Sequence, residues 1–190
     1  KRSGKVSGKF DYRLNGHIST EGKYSFKYGV AAARIKFPKS RGQHGSFWMQ
    51  PQDHVPGSTD PKTSGAEIDV IEAYGDNDYD GYHMAVHRYS ADSNINRSNY
   101  SGLSSTKSMA IWGWSDMFDE SLHRYGCLVT PKWIIVCRDR KEVSRFPTFP
   151  EAKRPLFMRL TLAMQNEFVA KATSPTRLWV DYVRAWALPK

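Results

Sequence analysis

The chain has 190 residues, of which 39% are hydrophobic and 13% aromatic, and it carries a formal net charge of +9. This composition excludes a disordered chain and predicts one domain with a sizeable core, and the chain holds no apolar run of about eighteen residues that would predict a membrane span. The charge is uneven: the first fifty residues hold eleven Lys and Arg against two acids, and the next fifty hold three against nine. We interpret the excess of basic residues as an exposed basic surface of the strands. Attraction of nucleic acid or an anionic polymer is the alternative.

The predicted elements are almost all strands, because short segments alternate apolar and polar residues between turn residues. In chain order, the predicted strands cover residues 24–28, 33–37, 65–75, 82–89, 128–137, 156–164 and 178–186. A Pro- and Gly-containing loop over residues 52–64 leads into the third of these strands and could form one wall of a cleft, and one short helix is predicted over residues 115–122. So many short strands predict two packed antiparallel sheets.

The two cysteines flank a hairpin turn predicted at residues 130–133. Cys127 and Cys137 would then lie on neighbouring strands, where a cross-strand disulfide is geometrically possible. Free thiols in the core or at the sheet surface are the alternative, and the compartment stays undecided.

One strand places three carboxylates, Glu67, Asp69 and Glu72, within six residues of an otherwise apolar segment. Because side chains alternate along a strand, Glu67 and Asp69 share a face, and strict alternation would send Glu72 to the other. One extra residue at Val70–Ile71, a β-bulge, would return the third acid to the first two. Three crowded acids raise one another's pKa values without structural benefit, so we predict a chemical purpose. The apolar residues between them need burial, which argues against an exposed edge strand.

The motif Glu67-Ile68-Asp69-Val70-Ile71-Glu72 resembles the bulge-containing catalytic signature of glycoside hydrolase family 16. Further blocks similar to that family follow its order along the chain, at residues 28–38 with 45–49, 123–143 and 180–184. The resemblance implies an all-β fold, a jelly-roll sandwich of two antiparallel sheets with a concave substrate cleft. It also implies a single catalytic domain over residues 1–190, which starts after the usual N-terminal strands of the family.

The resemblance implies that Glu67 is the nucleophile and Glu72 the acid/base of a retaining glycosidase, which uses two carboxyl groups on one site. Asp69, between them, would hydrogen-bond the nucleophile. Three acids at close range cannot all ionise at neutral pH, so at least one keeps a proton.

Four further residues are candidates for substrate binding, and three of them match positions of the family. Trp48 would stack on a sugar, with a core Trp as the alternative, since aromatic rings match the apolar faces of sugars. His87 matches a His near the acid/base and could orient it or bind a hydroxyl, with a core His as the alternative. Arg34 matches a basic position that lines the cleft, with a surface strand cation as the alternative. Gln165, at the end of an inner strand, could bind a hydroxyl, although a polar residue at a strand end needs no function.

The chain departs from the family at several positions that touch sugars or shape the cleft. Ala32 stands where glucan-cleaving relatives usually carry Glu, and His44-Gly45 replaces a common Trp-Pro pair. Thr161 replaces an Asn, and Asp139-Arg140 replaces an Asp-Gly turn. The identity of the polysaccharide therefore stays open.

No cofactor is expected, except that some relatives hold a structural calcium through the Asp that matches Asp181. The expected function is an endo-acting retaining hydrolase of β-1,3- or mixed β-1,3-1,4-glucan: a secreted, extracellular monomer whose partner is polysaccharide, not nucleic acid or membrane. A galactan or carrageenan hydrolase, suggested by the basic first quarter, and a transglycosylase are alternatives within the family. A lectin-like glycan-binding module without turnover is the alternative from another class.

Overall fold

The structure is a computed structural model, and it describes residues 15–39, 43–74, 82–94, 97–103, 121–164 and 176–188. The strands are β1 Gly16–Ser19, β2 Gly29–Lys36, β3 Gln43–Pro51, β4 Gly65–Ala73, β5 Tyr82–Tyr89, β6 Arg97–Leu103, β7 His123–Val129, β8 Trp133–Arg138, β9 Lys141–Pro147, β10 Leu156–Met164 and β11 Trp179–Ala187. A single-turn 3-10 helix, Pro150–Lys153, precedes β10. None of the helical residues in these ranges forms a segment long and apolar enough to span a membrane.

The strands form two antiparallel sheets. A six-stranded sheet has the order β1-β10-β3-β4-β5-β6, and a five-stranded sheet has the order β11-β2-β7-β8-β9. Every neighbouring pair is antiparallel. The prediction of an all-β fold with two antiparallel sheets is confirmed.

The core is built from the alternating apolar residues of both sheets. On β2, Ala31, Ala33 and Ile35 are fully buried while the residues between them are half-exposed. They share one hydrophobic cluster with Ile68 and Ile71 of β4, which are also fully buried. Burying each such isoleucine contributes roughly 1.5–3 kcal/mol to stability. Because β4 lies centrally in its sheet, its apolar residues fix which face its polar residues present.

Most predicted strands are present, with two differences. The segment 128–137 is two strands, β7 and β8, joined by a turn at the predicted place, where the Trp133 N–H donates to Thr130 Oγ1 at 2.8 Å. Residues 24–28 form no strand, and only Phe26 makes an isolated bridge, to Leu156. Most of the predicted helix over residues 115–122 lies outside the described residues.

Both cysteines are free thiols. In the hairpin register Cys127 lies opposite Val136, and Cys137 lies opposite Gly126. The two side chains therefore point to opposite faces of the sheet, and Cys127 is buried while Cys137 is half-buried. This register does not permit the disulfide that the turn alone suggested.

Arg34 does not line a cleft beside the acids, so that prediction is wrong. It lies on β2, in the sheet that lacks the acidic strand. The alternation that buries Ala33 and Ile35 turns Arg34 outward. There its Nη1 donates to Asp181 Oδ2 at 2.8 Å.

The same ion pair bears on the suggested calcium at Asp181. Calcium requires six to eight oxygen ligands, whereas a guanidinium contacts this carboxylate. Among the described residues, the group able to offer three metal ligands does not include Asp181. The contact with Arg34 occupies one oxygen of Asp181, and a calcium ion there stays a prediction.

The loop over residues 52–64 is anchored by Arg154, whose guanidinium donates to three of its carbonyls. These carbonyls belong to Asp53, Lys62 and Ser64. Nearby, the fully buried Glu151 accepts two hydrogen bonds from Arg88, at 3.0 and 3.1 Å. Charge-assisted bonds of this kind are among the stronger ones in proteins, so the loop has a defined position beside β4.

Replacing Gly29 tests how closely the backbone of the edge strand β11 approaches that of its neighbour β2. The φ of Gly29 is +148°, and a Cβ there would lie 2.1 Å from the backbone oxygen of Trp186. We expect Gly29→Ala to lower the free energy of unfolding by more than about 3 kcal/mol, since backbone strain is joined by a clash that separates two strands. Urea unfolding measures this change.

Gly22 supplies the matched control, because its φ is +68° but a Cβ there would meet nothing within 4 Å. Gly22→Ala should cost only about 1–2 kcal/mol, the strain of a left-handed residue. Equal losses in the two variants would contradict this packing of β11 on β2.

Candidate active site

A β-bulge interrupts β4 between the second and third acids. Asp69 pairs with Trp48 of β3, and Ile71 pairs with Phe47, the residue before Trp48. Val70 lies between these two pairs and is left without a partner. The pairing with β5 shifts at the same place. Val70 and Ile71 are therefore both buried, at 1% and 0% exposure. The predicted bulge at this point is confirmed.

The bulge brings all three acids onto one open groove of about 220 Å³ on the outer face of the six-stranded sheet. The groove is lined from β3, β4 and β10 by His44, Ser46, Trp48, Glu67, Asp69, Glu72, Thr161 and Ala163. Asp69 lies at its floor, 3% exposed, and the two glutamates are half-exposed on either side of it along β4.

Glu67 accepts a hydrogen bond on each carboxylate oxygen. Gln50 Nε2 donates to Oε2 at 3.2 Å, and Tyr89 Oη donates to Oε1 at 3.1 Å. Burial raises the pKa of Glu67, and the charge of Glu72 adds to this, against the lowering by His87 and the two donors. Glu67 is thus oriented by fixed donors while its ionised form is less favoured than in water.

Asp69 is paired with His87 on the neighbouring strand β5. His87 Nε2 lies 3.1 Å from Asp69 Oδ2 and 4.0 Å from Glu67 Oε1. Burial raises the pKa of Asp69 to about 7, with a contribution from Glu72 and Glu67, although His87 opposes the rise. The contact with Asp69 in turn raises the pKa of His87.

The expected hydrogen bond from Asp69 to Glu67 is absent among the described contacts. His87 contacts both carboxylates instead, because β5 places it directly opposite Glu67. His87 therefore lies on the Glu67 side of the groove, whereas His83 is the β5 residue opposite Glu72.

Glu72 has a different environment from the other two acids. His44 Nε2 lies 3.0 Å from Oε1, and Tyr74 Oη donates to the same oxygen at 3.1 Å. Burial acts to raise the pKa of Glu72, but His44, Tyr74 and the charge of His83 together outweigh it and lower that pKa. Among the three acids, the surroundings of Glu72 favour its ionised form, whereas burial favours the protonated form of Asp69.

Trp48 lines the groove and is half-buried, and its stacking on a sugar stays a prediction. Its Nε1 donates to Thr161 Oγ1 at 2.8 Å, and the guanidinium of Arg159 lies 4.9 Å from its ring. Gln165 lies outside the described residues.

Four functional neighbours escape the sequence-based prediction. They are His44, Gln50, Tyr74 and Tyr89. Each lies an even number of residues from a predicted site residue in the same segment, with no bulge between the two. The two side chains therefore share a face of the sheet. That parity was the available signal.

The loop over residues 52–64 forms the wall of a second cavity, of about 270 Å³, next to Glu67. Its residues His54, Pro56 and Gly57 face Gln50 and Tyr89 across this space. The two donors of Glu67 thus connect the groove to the cavity, which agrees with the predicted cleft wall.

A metal could be considered only at one place in the described part of the chain. There, ligand atoms of Glu67, Asp69 and His87 lie within 4.8 Å of one another. Both oxygens of Glu67 already accept hydrogen bonds, and His87 contacts Asp69. The arrangement fits a hydrogen-bonded acid cluster better than a cation site.

Comparison with known proteins adds the wider context. The fold is similar to a Bacteroides ovatus mixed-linkage glucan family 16 enzyme in complex with a G4G4G3G product, at 21% identity and a TM-score of 0.68, over 90% of this chain and 74% of that one. It is similar to the Rhodothermus marinus laminarinase at 22% identity and a TM-score of 0.68, over 92% and 71%. It is also similar to a kappa-carrageenase from Zobellia galactanivorans at 22% identity and a TM-score of 0.65, over 90% and 70%.

These likenesses establish the jelly-roll fold that the sequence predicts. A search of curated protein sequences finds no significant match. The sequence model described as "Glycosyl hydrolases family 16" matches residues 1–183. With that match over nearly its whole length, the chain belongs to glycosyl hydrolase family 16, a family of glycosidases.

Proposed function

We propose that the chain is an endo-acting, retaining glycosidase that cleaves β-1,3- or mixed β-1,3-1,4-glucan by double displacement. The observation that carries the proposal is the set of three carboxylates that the bulge gathers on one open groove. A retaining glycosidase needs two carboxyl groups on one site, one to attack and one to exchange a proton. The open groove on the sheet face suits attack within a long chain.

In the first step Glu67 attacks the anomeric carbon. A bond forms between a Glu67 oxygen and C1, the bond from C1 to the glycosidic oxygen breaks, and the leaving oxygen takes its electron pair and a proton from Glu72. The Gln50 and Tyr89 donors hold the attacking carboxylate in position. Orientation of this kind lowers the entropic part of the barrier.

In the second step water attacks C1, Glu72 takes the water proton, and the carboxylate of Glu67 is released. Loss of the negative charge on Glu67 in the intermediate removes a repulsion that raises the pKa of neighbouring acids. Glu72 then ionises more readily and acts as a base, in keeping with the donors that already favour its carboxylate.

Substrate binding must favour the protonated form of Glu72 for the first step. A glycan chain in the groove excludes water from its half-exposed carboxylate, and loss of hydration raises a carboxyl pKa. The buried Asp69–His87 pair beside it holds a proton within the site at neutral pH.

The choice of a neutral glucan is supported by the surroundings of Trp48. Arg159 stacks over this ring but also donates to Glu21 Oε2 at 2.8 Å. Its charge is therefore compensated, which favours a neutral sugar over a sulfated one at this point of the groove. The product complex and the laminarinase among the structurally similar proteins support the same choice. The structural similarity to a kappa-carrageenase means that a galactan substrate remains the alternative.

Replacing either glutamate tests the mechanism. We expect Glu67→Gln and Glu72→Gln each to lower reducing-end release from the best of laminarin, barley mixed-linkage glucan and kappa-carrageenan by at least about 10³-fold, since each removes a group that reacts. Glu142→Gln, which removes an exposed glutamate on β9, should leave turnover unchanged. The released sugar should first appear with the anomeric configuration of the cleaved bond in ¹H NMR.

Azide separates the two roles in the corresponding alanine variants. With a 2,4-dinitrophenyl β-glycoside, whose leaving group needs no proton, it should restore activity to Glu67→Ala with a glycosyl azide of inverted configuration, and to Glu72→Ala with one of retained configuration, because only the latter forms through the covalent intermediate. Near-normal turnover in either folded glutamine variant would reject the assignment. Tight glycan binding without turnover by the unmodified protein would favour the lectin-like alternative.

Asp69 predicts a pH dependence of stability. Its pKa is about 7 in the folded protein against an ordinary 3.8, so the folded state binds more protons between these values. This contribution to stability is present at low pH and is lost as the pH rises toward 7. We therefore expect Asp69→Asn to gain stability relative to the unmodified protein between pH 4 and 8, by more than about 1 kcal/mol.

Urea unfolding of the two proteins across that pH range measures the difference. Asp53→Asn, at an exposed loop residue, serves as the control and should show no such gain. A difference between Asp69→Asn and the unmodified protein that stays constant from pH 4 to 8 would show that Asp69 does not retain a proton in the fold.

A further inference from the structure

His44 occupies a position where relatives commonly carry Trp, and here it contacts the proposed acid/base. Strand β3 turns His44, Ser46 and Trp48 toward the groove. His44 Nε2 lies 3.0 Å from Glu72 Oε1, the oxygen that also accepts from Tyr74 Oη. No donor approaches Glu72 Oε2 in the described part of the chain.

The two oxygens of Glu72 are therefore not equivalent. A carboxylate can only accept hydrogen bonds, so His44 Nε2 carries the hydrogen when Glu72 is ionised. With donors from His44 and Tyr74 on Oε1, a proton that arrives on Glu72 is accommodated on Oε2. Oε2 is then the oxygen with a hydrogen to donate.

We propose that His44 is the positioning residue of Glu72, which holds Oε1 as an acceptor and leaves Oε2 to exchange the proton with substrate and water. This inference rests on the proposed glycosidase function and adds the atom through which the acid/base works. His44 does not touch the reacting bond itself; it acts through Glu72.

The imidazole is held firmly enough for this task. Its ring stacks on Tyr74, with centroids 4.5 Å apart and planes at 14°, and Ser46 Oγ lies 3.2 Å from Nε2. The next residue, Gly45, lets β3 approach the core, because a Cβ there would lie 2.7 Å from the ring of Phe37. A proline in place of Gly45 would not fit this close approach, because its Cβ would meet the same ring.

Other titratable groups face Glu72 from the packed strands. They are Glu67 and Asp69 on β4, Tyr74 directly after β4, and His83 and His87 on β5, while the groove residues of β10, Thr161 and Ala163, are uncharged. Burial lowers the pKa of His83, so its imidazole tends to the neutral form. His44 is thus the histidine that both contacts Glu72 and belongs to the groove lining.

The test compares two replacements of His44. His44→Phe keeps a ring on Tyr74 and removes the donor, whereas His44→Gln places an amide Nε2 at the same distance along the side chain. With barley mixed-linkage glucan, or with laminarin if it is the better substrate, we expect the basic limb of the kcat/KM profile to move up by roughly one pH unit in His44→Phe. His44→Gln should restore most of the normal profile.

The shift should depend on the leaving group. The 2,4-dinitrophenolate leaving group of a 2,4-dinitrophenyl β-glycoside departs without protonation. The basic limb of the kcat/KM profile with this substrate should therefore not move in His44→Phe. Tyr74→Phe, which removes the other donor to Oε1, should move the polysaccharide limb in the same direction. Equal displacement of the limb for both kinds of substrate, or no displacement with the polysaccharide, would overturn the proposal.

A substrate-free measurement separates this inference from the proposed function. In protein with ¹³C-labelled glutamate carboxyls, the pKa of Glu72 should rise in His44→Phe and return toward normal in His44→Gln. An unchanged Glu72 pKa contradicts the role of His44 even if the protein hydrolyses glucan. A raised pKa together with full activity in Glu72→Gln would contradict the proposed function and leave the contact standing.

Discussion

One unpaired residue on the fourth strand determines the chemistry of this protein. Without the bulge at Val70, the apolar residues of β4 would still pack on the core, but Glu72 would point toward that core. The energetic constraint is strong because a carboxylate buried among isoleucines and methionines would have to lose its charge. The bulge satisfies both demands at once: two adjacent apolar residues are buried, and the acid that follows them returns to the groove. The positions of the groove, its hydrogen-bond donors and its histidines relative to the acids all depend on this register shift.

The three acids are crowded together, and their surroundings make them unequal. In the middle, burial raises the pKa of Asp69 to about 7, although the contact with His87 opposes the rise. At one end, His44 and Tyr74 favour the ionised form of Glu72. A pair of catalytic carboxyls needs separated pKa values, with the attacking group ionised and its partner protonated. In the free protein the pKa of Glu67 is raised and that of Glu72 is lowered, so the proposed mechanism requires substrate binding to raise the pKa of Glu72. The strands flanking β4 provide these different surroundings: β3 supplies His44 and Gln50, and β5 supplies His87 and Tyr89.

Much of the fold and the centre of the site could be predicted from the residues. Alternation of polar and apolar residues located β5 and β10, and the even and odd positions around Val70–Ile71 located the bulge. The family signature assigned the acids. These features depend on local spacing, which the chain displays directly.

What escaped prediction depends on which strands become neighbours. Arg34 matched a basic position of the family, yet β2 joins the five-stranded sheet and points it away from the groove. His87 was expected beside the acid/base, but the register of β5 sets it opposite Glu67, four residues along from His83. His44 was visible as a departure from the family, but its contact with Glu72 exists only because β3 and β4 pair with this register. Sheet order and register are long-range choices, made by packing across the core, that no short motif contains.

The most direct measurement follows the Glu67 carboxyl by ¹³C NMR while the pH is varied, in the unmodified protein and in Glu72→Gln. If the bulge places both groups on one groove, the charge of Glu72 raises the pKa of Glu67, and its removal should lower that pKa. The same substitution at the exposed Glu142 on the other sheet should leave Glu67 unchanged. A Glu67 titration that is identical with and without Glu72 would place the two acids on different faces of the sheet and contradict the account at its base.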